Sequence, residues 1–286
     1  MKQLIKLKSF STEDNKLFDN ELKENIEFVA DQKVLYKYMT VDGVIKTLKY
    51  CNIKFSNPND FNDPFDCDPR MIDFSNPTEE YYNYLVDIMC PNAKYAQRQK
   101  VLIEIRKKGL KFTSRNVREI ADVRVSCFTI DKDNLLMWSH YANKHTGCCI
   151  AFNLEVLYSS LCVKYGNARC LRVEYSKDFP TINYYKCPKR AAISWCILKS
   201  EDWKYEKEIR ILVNANDLVE GIDLLPLPKS VFCAIYLGAK ISSDDKDRII
   251  QTCRDHYGEI EIYQMNLKTG RFELEPELVM SAMASK

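Results

Sequence analysis

The sequence predicts an α+β fold: a mixed, mainly antiparallel sheet core with a helical insert at 77–121. Three observations predict it. Beyond Val123, short runs rich in β-branched and aromatic residues recur at 125–130, 148–153, 170–175, 209–213, 231–237 and 261–267, as strands do. Between 77 and 121 the apolar spacing is helical instead. Strands and helices then follow one another without strict βαβ alternation, which favours α+β over a parallel α/β sheet.

The elements can be justified in order. Residues 1–32 are polar and read as a lead-in arm holding a short amphipathic helix, with Leu17, Phe18, Leu22 and Ile26 near helical spacing. Residues 34–39 form a strand, and Thr40 is placed to cap a helix over 41–50 whose inner face is Val44, Ile45 and Leu48. A second strand is expected at 53–56. The stretch 57–69 holds Asn, Asp and Pro at a density that predicts an ordered loop with Asx turns. Within the insert, Pro77-Thr78-Glu79-Glu80 starts one helix, Pro91 interrupts it, a second stops near Gly109, and a third covers 114–121. Later helices are expected at 155–160, 191–198 and 243–256, the last capped by Ser242. The main α+β domain spans 33–270, and 271–286 reads as a loosely attached tail.

The chain of 286 residues has 46% hydrophobic and 29% charged residues, the balance of a globular protein with a sizeable core. No apolar run reaches transmembrane length and no apolar segment opens the chain, so neither a membrane span nor a secretory signal is expected. A net charge of +2 argues against a protein devoted to coating nucleic acid or anionic membrane, though it leaves room for a local basic groove. The twelve cysteines are scattered without a CxxC, as reduced core thiols in the cytoplasm are.

The most informative stretch is 125–152. A strand ends in a turn at 131–134, an aromatic segment Met137-Trp138-Ser139-His140-Tyr141 follows, and His145-Thr146-Gly147 leads into the apolar run 148–152. Two of the three histidines lie here, which suggests a pocket wall. His140, between Trp138 and Tyr141, is a candidate general acid/base. Gly147 serves a positive φ or a close approach.

Four segments in this order carry a resemblance: Leu35-Tyr36-Lys37-Tyr38, the loop from Phe55-Ser56-Asn57-Pro58 to Asn62-Asp63-Pro64-Phe65, Cys127-Phe128 with Met137–Tyr141 and His145-Thr146-Gly147, and Trp203-Lys204-Tyr205-Glu206-Lys207-Glu208-Ile209-Arg210. Together they resemble the bacterial family of domain of unknown function 2971, over roughly 34–240. A more distant resemblance is to ADP-ribosyltransferase folds, which open on a strand of the type Tyr-[His/Arg/Lys]-x-x-Thr and carry a late Glu, often as Glu/Gln-x-Glu. Lys37 stands where those enzymes place a His or Arg against NAD, and Glu206-Lys207-Glu208 has the form of the late motif.

That resemblance implies a cytoplasmic bacterial enzyme using a nucleotide-type small molecule, with NAD as possible substrate and a protein or nucleic acid as possible acceptor. It would be an NAD-consuming ADP-ribosyltransferase or glycohydrolase acting as a toxin or anti-phage effector. Glu208 is the expected catalytic residue, with Glu206 assisting; in a strand the two project to one face, where carboxylates suit an oxocarbenium-like centre. Lys37 is expected at the pyrophosphate, with Tyr38, Trp138 and Tyr141 as pocket residues and Asn62 and Asp63 on its floor. Other readings stay open. The glutamates belong to an edge strand with surface ion pairs. Asp60, Asp63, Asp66 and Asp68 serve Asx turns, or Asp63 and Asp66 join Glu206 or Glu208 in a metal-dependent nuclease. Cys127 or Cys149 is a hydrolase nucleophile. His140, His145, Cys148 and Cys149 lack zinc spacing, so no metal is expected there. A non-catalytic nucleotide-binding or sensor module is the remaining alternative.

Overall fold

The computed structural model describes residues 13–110, 123–165, 168–214, 224–257 and 260–281. The helix expected at 114–121 lies outside them. In chain order the elements are α1 (Glu13–Ala30), β1 (Val34–Met39), α2 (Val41–Tyr50), β2 (Asn52–Lys54), β3 (Ile72–Asp73), α3 (Glu79–Met89), α4 (Tyr95–Lys108), β4 (Val123–Thr129), α5 (Leu135–Tyr141), β5 (Cys148–Asn153), α6 (Leu154–Tyr165), β6 (Arg169–Arg172), β7 (Glu174–Ser176), β8 (Ile182–Asn183), α7 (Pro188–Ile197), β9 (Leu198–Ser200), β10 (Glu208–Asn214), β11 (Leu224–Pro226), β12 (Phe232–Leu237), α8 (Ser243–His256), β13 (Glu261–Leu267) and β14 (Leu274–Met280). Helix starts follow local chemistry. The side chains of Thr40, Thr78, Asn134 and Ser242 accept bonds from the first-turn amides of α2, α3, α5 and α8, satisfying donors that have no intrahelical partner.

The protein is α+β, and the chain divides into two compact units. One takes in Ile26–Asn57, Val123–Val173 and Asp202–Lys286. It is built on an eight-stranded sheet in the order β14-β13-β12-β5-β1-β4-β10-β6. Every neighbouring pair is antiparallel except β12 and β13. Strand alternation sorts the side chains onto two faces. One face packs Leu35, Phe128, Ile150, Phe152, Ile209 and Ile211 with Leu48 of α2, Leu157 and Leu161 of α6, and Ile249 and Cys253 of α8. The other packs Tyr38, Cys149, Ala151, Tyr236 and Met265 with Met137 and Trp138 of α5.

The second unit takes in Met1–Asn25, Pro58–Asp122 and Glu174–Glu201. The helical insert read at 77–121 therefore falls in a larger grouping that also takes in segments well before and well after it in the chain. Two short parallel pairs, β3 with β8 and β7 with β9, lie in it. Its aromatic cluster joins Phe74, Tyr81, Tyr184 and Tyr185, with Tyr185 Oη donating to the Phe74 carbonyl at 3.1 Å.

Several sequence expectations are corrected. The run 170–175 is two strands in different sheets, because β6 ends at Arg172 and β7 begins at Glu174. The tail is not loose over Leu274–Met280. That segment pairs along β13, with Leu274 buried in the core. Its sequence hides the strand because five successive positions are exposed, as suits an outer strand. Among the described residues no helix is long and apolar enough to cross a membrane.

Candidate functional site

Two carboxylates and a guanidinium are buried at the start of β10. Glu206 is 2% exposed, Glu208 3% and Arg210 0%. The expectation that Glu206 and Glu208 lie together on a strand is corrected: Glu206 closes a 3₁₀ turn over Glu201–Glu206, and only Glu208 is in the strand. Lys207 between them adopts a left-handed conformation with φ 44°. That reversal sends its own side chain outward to Asp131, Nζ to Oδ2 at 2.8 Å, while both glutamates turn inward. β10 lies between β4 and β6, so the edge-strand reading of surface ion pairs does not hold.

Glu208 and Arg210, two apart on one strand, share a face. Arg210 Nε donates to Glu208 Oε1 at 2.8 Å, and Nη2 donates to Oε2 at 3.2 Å. Both oxygens of Glu208 are therefore engaged by a guanidinium that water does not reach. Glu206 has a different partner. Tyr141 Oη donates to Glu206 Oε1 at 2.6 Å.

Helix α5 brings Tyr141 there. Asn134 caps the helix through Oδ1, and its Nδ2 donates to the Tyr205 carbonyl at 2.9 Å, tying the helix start to the 3₁₀ turn. Trp138 anchors the middle of the helix. It is fully buried, meets Tyr38 edge-on at 5.1 Å and donates Nε1 to the Lys132 carbonyl at 2.8 Å. After α5 the chain turns through Asn143, Lys144 and His145, all with positive φ. His145 stacks on Trp138 at 6.3 Å and 14°, with Nε2 3.1 Å from Ser139 Oγ. Burial first, then Lys240, holds the His145 pKa below its ordinary value.

Glycines close this turn. Gly147 has no positive φ; it is there for close approach, since a Cβ would lie 2.3 Å from the Met39 carbonyl oxygen. A Cβ on Gly238 would lie 2.2 Å from the His145 carbonyl oxygen.

Beside Glu206, His140, Tyr205 and Trp203 form a row of rings. His140 is exposed and lies 6.3 Å from Tyr205 at 34°; Tyr205 lies 6.1 Å from Trp203 at 39°. Tyr141, whose hydroxyl holds Glu206, also borders His140 at 6.3 Å. The arrangement offers a surface on which a planar group can stack, next to a buried carboxylate.

The other expected site residues are placed elsewhere. Lys37 projects to the opposite face of the sheet from Tyr38, with Nζ over the Phe128 ring at 5.2 Å, and donates to the Cys127 carbonyl at 2.7 Å. Burial lowers its pKa, an effect that Cys127 and Glu208 partly offset. Lys37 is half-buried, and its Nζ is also within 3.3 Å of Ser126 Oγ. Tyr38 and Trp138 are buried in the core, and Tyr38 Oη donates to the Asp131 carbonyl at 2.9 Å. The thiols of Cys127 and Cys149 are pushed well up by burial; Glu208 adds to this for Cys127 while Arg210 and Lys37 oppose it, and Cys148 and Asp133 add to it for Cys149 while Lys132 opposes it. Neither is therefore a ready thiolate nucleophile.

In the other unit, Asn62 is exposed and Asp63 is buried, its Oδ1 accepting from Phe65 N at 2.9 Å in an Asx turn. Asp68 does the same for Arg70 N at 2.8 Å. Among the described residues no three His, Cys, Asp or Glu side chains converge as a metal site requires.

The edge-strand alternative paired the glutamates with Lys207 and Arg210 at a surface; the Glu208–Arg210 pair exists but is buried within the sheet. That pair had a local signal, because an i, i+2 acid and base within an apolar strand share a face. The bond from Asn134 to the Tyr205 carbonyl and the role of Gly238 had no such local signal. Residues 137–211, from α5 into β10, match the family model described as Protein of unknown function (DUF2971). No curated protein and no solved structure gives a significant match.

Proposed function

From membership of the DUF2971 family, which carries no assigned reaction, and from the buried acids in the matched segment, we propose an enzyme acting on a nucleotide-type ligand, with NAD as the substrate to test. The observation that carries this reading is Glu206: a buried carboxylate held at 2.6 Å by Tyr141 beside the His140–Tyr205–Trp203 rings. Burying a carboxylate is costly unless its partners hold it, and a row of rings beside it suits a flat heteroaromatic group. The chemistry is ADP-ribosyltransferase- or glycohydrolase-like. The bond from the ribose to nicotinamide breaks and nicotinamide leaves with the bonding electron pair. Glu206 offsets the positive charge on the sugar and takes the proton from the incoming acceptor, which is water, a protein or a nucleic acid.

The roles of the two glutamates exchange relative to expectation. Glu208, engaged at both oxygens by Arg210, is a positioning residue that fixes the start of β10. Glu206 becomes the catalytic residue. Twelve free thiols suit a reducing, cytoplasmic setting, and a toxin or anti-phage role in a bacterium suits NAD consumption.

The test incubates the purified chain with NAD, with and without cell extract, and follows nicotinamide release. Glu206→Gln is expected to abolish release while retaining NAD binding. Absence of release in both conditions, with no NAD binding by calorimetry, sinks the proposal. A non-catalytic nucleotide-binding module is the second reading, favoured by the structural pairing of Glu208 with Arg210. It requires that NAD binds without turnover.

A further inference from the structure

A cavity of about 180 Å³ lies within the unit that holds the Asp-rich loop. Phe65, Met71, Phe179, Pro180 and Leu198 form its apolar wall. The parallel pairing of β7 with β9 builds one side, bringing residues 176–180 to residues 198–200. Phe65 and Phe179 meet edge-on at 5.9 Å, yet they are 54% and 41% exposed. An apolar body that covers them removes that surface from water, which is favourable in proportion to the area covered.

The charges around the cavity leave one carboxylate over. Each of three cations faces an acid. Arg70 donates from Nε to Asp68 Oδ2 at 2.9 Å. Lys199 Nζ lies 3.8 Å from Asp66 Oδ2, and Lys177 Nζ lies 3.8 Å from Glu201 Oε2. Asp178 is a fourth acid, and it lines the cavity. Ser176 fixes its backbone: Ser176 Oγ accepts from Asp178 N at 3.2 Å and donates to the Asp178 carbonyl at 2.8 Å. The Asp178 carboxylate itself is exposed and has no partner among the described residues. The rings suit a positive charge as well. The Arg70 guanidinium lies over both, 6.0 Å from Phe65 and 5.8 Å from Phe179, where the ring quadrupoles attract a cation.

We propose that this cavity binds a small organic cation, a primary ammonium on an apolar body. The body lies against Phe65, Phe179 and Leu198, and the ammonium meets the Asp178 carboxylate at the rim. The size fits one substituted ring, since an apolar cavity of about 150 Å³ accommodates benzene. A ring in the body adds aromatic contact to apolar burial. The ammonium has three N–H donors, enough for Asp178 and for water at the open rim. An anion would set a second uncompensated negative charge beside Asp178.

The test titrates the full chain by NMR with three probes of one shape and different charge: benzylamine, benzyl alcohol and benzoate. Benzylamine, protonated at neutral pH, is expected to bind with a Kd on the order of 1 mM, the range open to so small a ligand. Benzyl alcohol should bind about fivefold more weakly, the most that an exposed ion pair contributes, and benzoate more weakly still. Asp178→Asn keeps the side chain's size and both backbone bonds to Ser176, so the chain should fold as before. It should erase the preference for benzylamine over benzyl alcohol. Phe179→Ala, at a half-exposed position, should weaken both. Three outcomes overturn the proposal: benzoate binding as tightly as benzylamine, a benzylamine preference that survives Asp178→Asn, or no binding of any probe at about 20 mM. The site lies in the unit that does not hold Glu206, so the result is independent of the NAD assay.

Discussion

Gly147→Ala tests how the site is held. The added Cβ would lie 2.3 Å from the Met39 carbonyl oxygen and 3.0 Å from both the carbonyl carbon and oxygen of Ala142. A comfortable carbon–oxygen contact is about 3.3 Å or more. One of the two backbones must therefore move by about an ångström. Neither moves freely. Met39 is paired with Cys148 in the centre of the sheet, and Gly147 N donates to the Ala142 carbonyl at 2.8 Å while its own carbonyl accepts from Gly238 N at 2.9 Å. Overpacking costs about 1–3 kcal/mol where side chains can adjust. Here the obstacles are main chain, so about 3 kcal/mol is expected, a fall in Tm of roughly 6–12 °C. The displaced turn also carries α5, so nicotinamide release should fall with it. Differential scanning calorimetry reads the first effect, with Gly270→Ala as a control. That glycine has φ 76° and open space around its Cβ position, so only left-handed strain of about 1 kcal/mol applies. A Gly147→Ala protein melting within about 1 °C of the native chain would refute the argument from close approach.

Other perturbations have defined outcomes. Arg210→Met takes the guanidinium away from the buried Glu208 and should cost about 3 kcal/mol, whereas the double change Glu208→Leu with Arg210→Met should recover most of that in denaturant titration. Tyr141→Phe removes the 2.6 Å bond to Glu206; stability should drop by about 1–3 kcal/mol, and turnover should fall further than NAD affinity. His145 has a folded pKa below its unfolded value, so the unfolded chain takes up protons first. The stability it contributes is complete above about pH 6.5 and is lost as pH falls through the folded value. His145→Gln should flatten melting temperature against pH in that acid range.

How much was legible in the sequence depended on how local each cause was. Caps at Thr40, Thr78 and Ser242 were legible because the side chain and the amides it satisfies lie within three residues. The α+β class was legible for the same reason, since period-two and period-3.6 patterns are properties of short windows. The Asx turns at Asp63 and Asp68 followed from composition alone. Site geometry was not local. Lys37 and Tyr38 are adjacent in sequence, but alternation sends them to opposite faces, and what each face packs against is decided by β4, β5 and α5. Glu206 and Glu208 were visible as a pair, yet the left-handed Lys207 and the distant Tyr141 determine which carboxylate is clamped by a guanidinium and which is held by a phenol. Gly238 matters only because the carbonyl of His145, ninety-three residues earlier, comes within 2.2 Å of where its side chain would be. The sequence by itself determined the helix caps, the Asx turns and the central strands, because those choices minimise free energy over a few residues, whereas the outer strand Leu274–Met280 and the break between β6 and β7 were set by pairing partners distant in the chain. Tertiary structure alone decided which charges are buried, since burial depends on what the rest of the chain places against them.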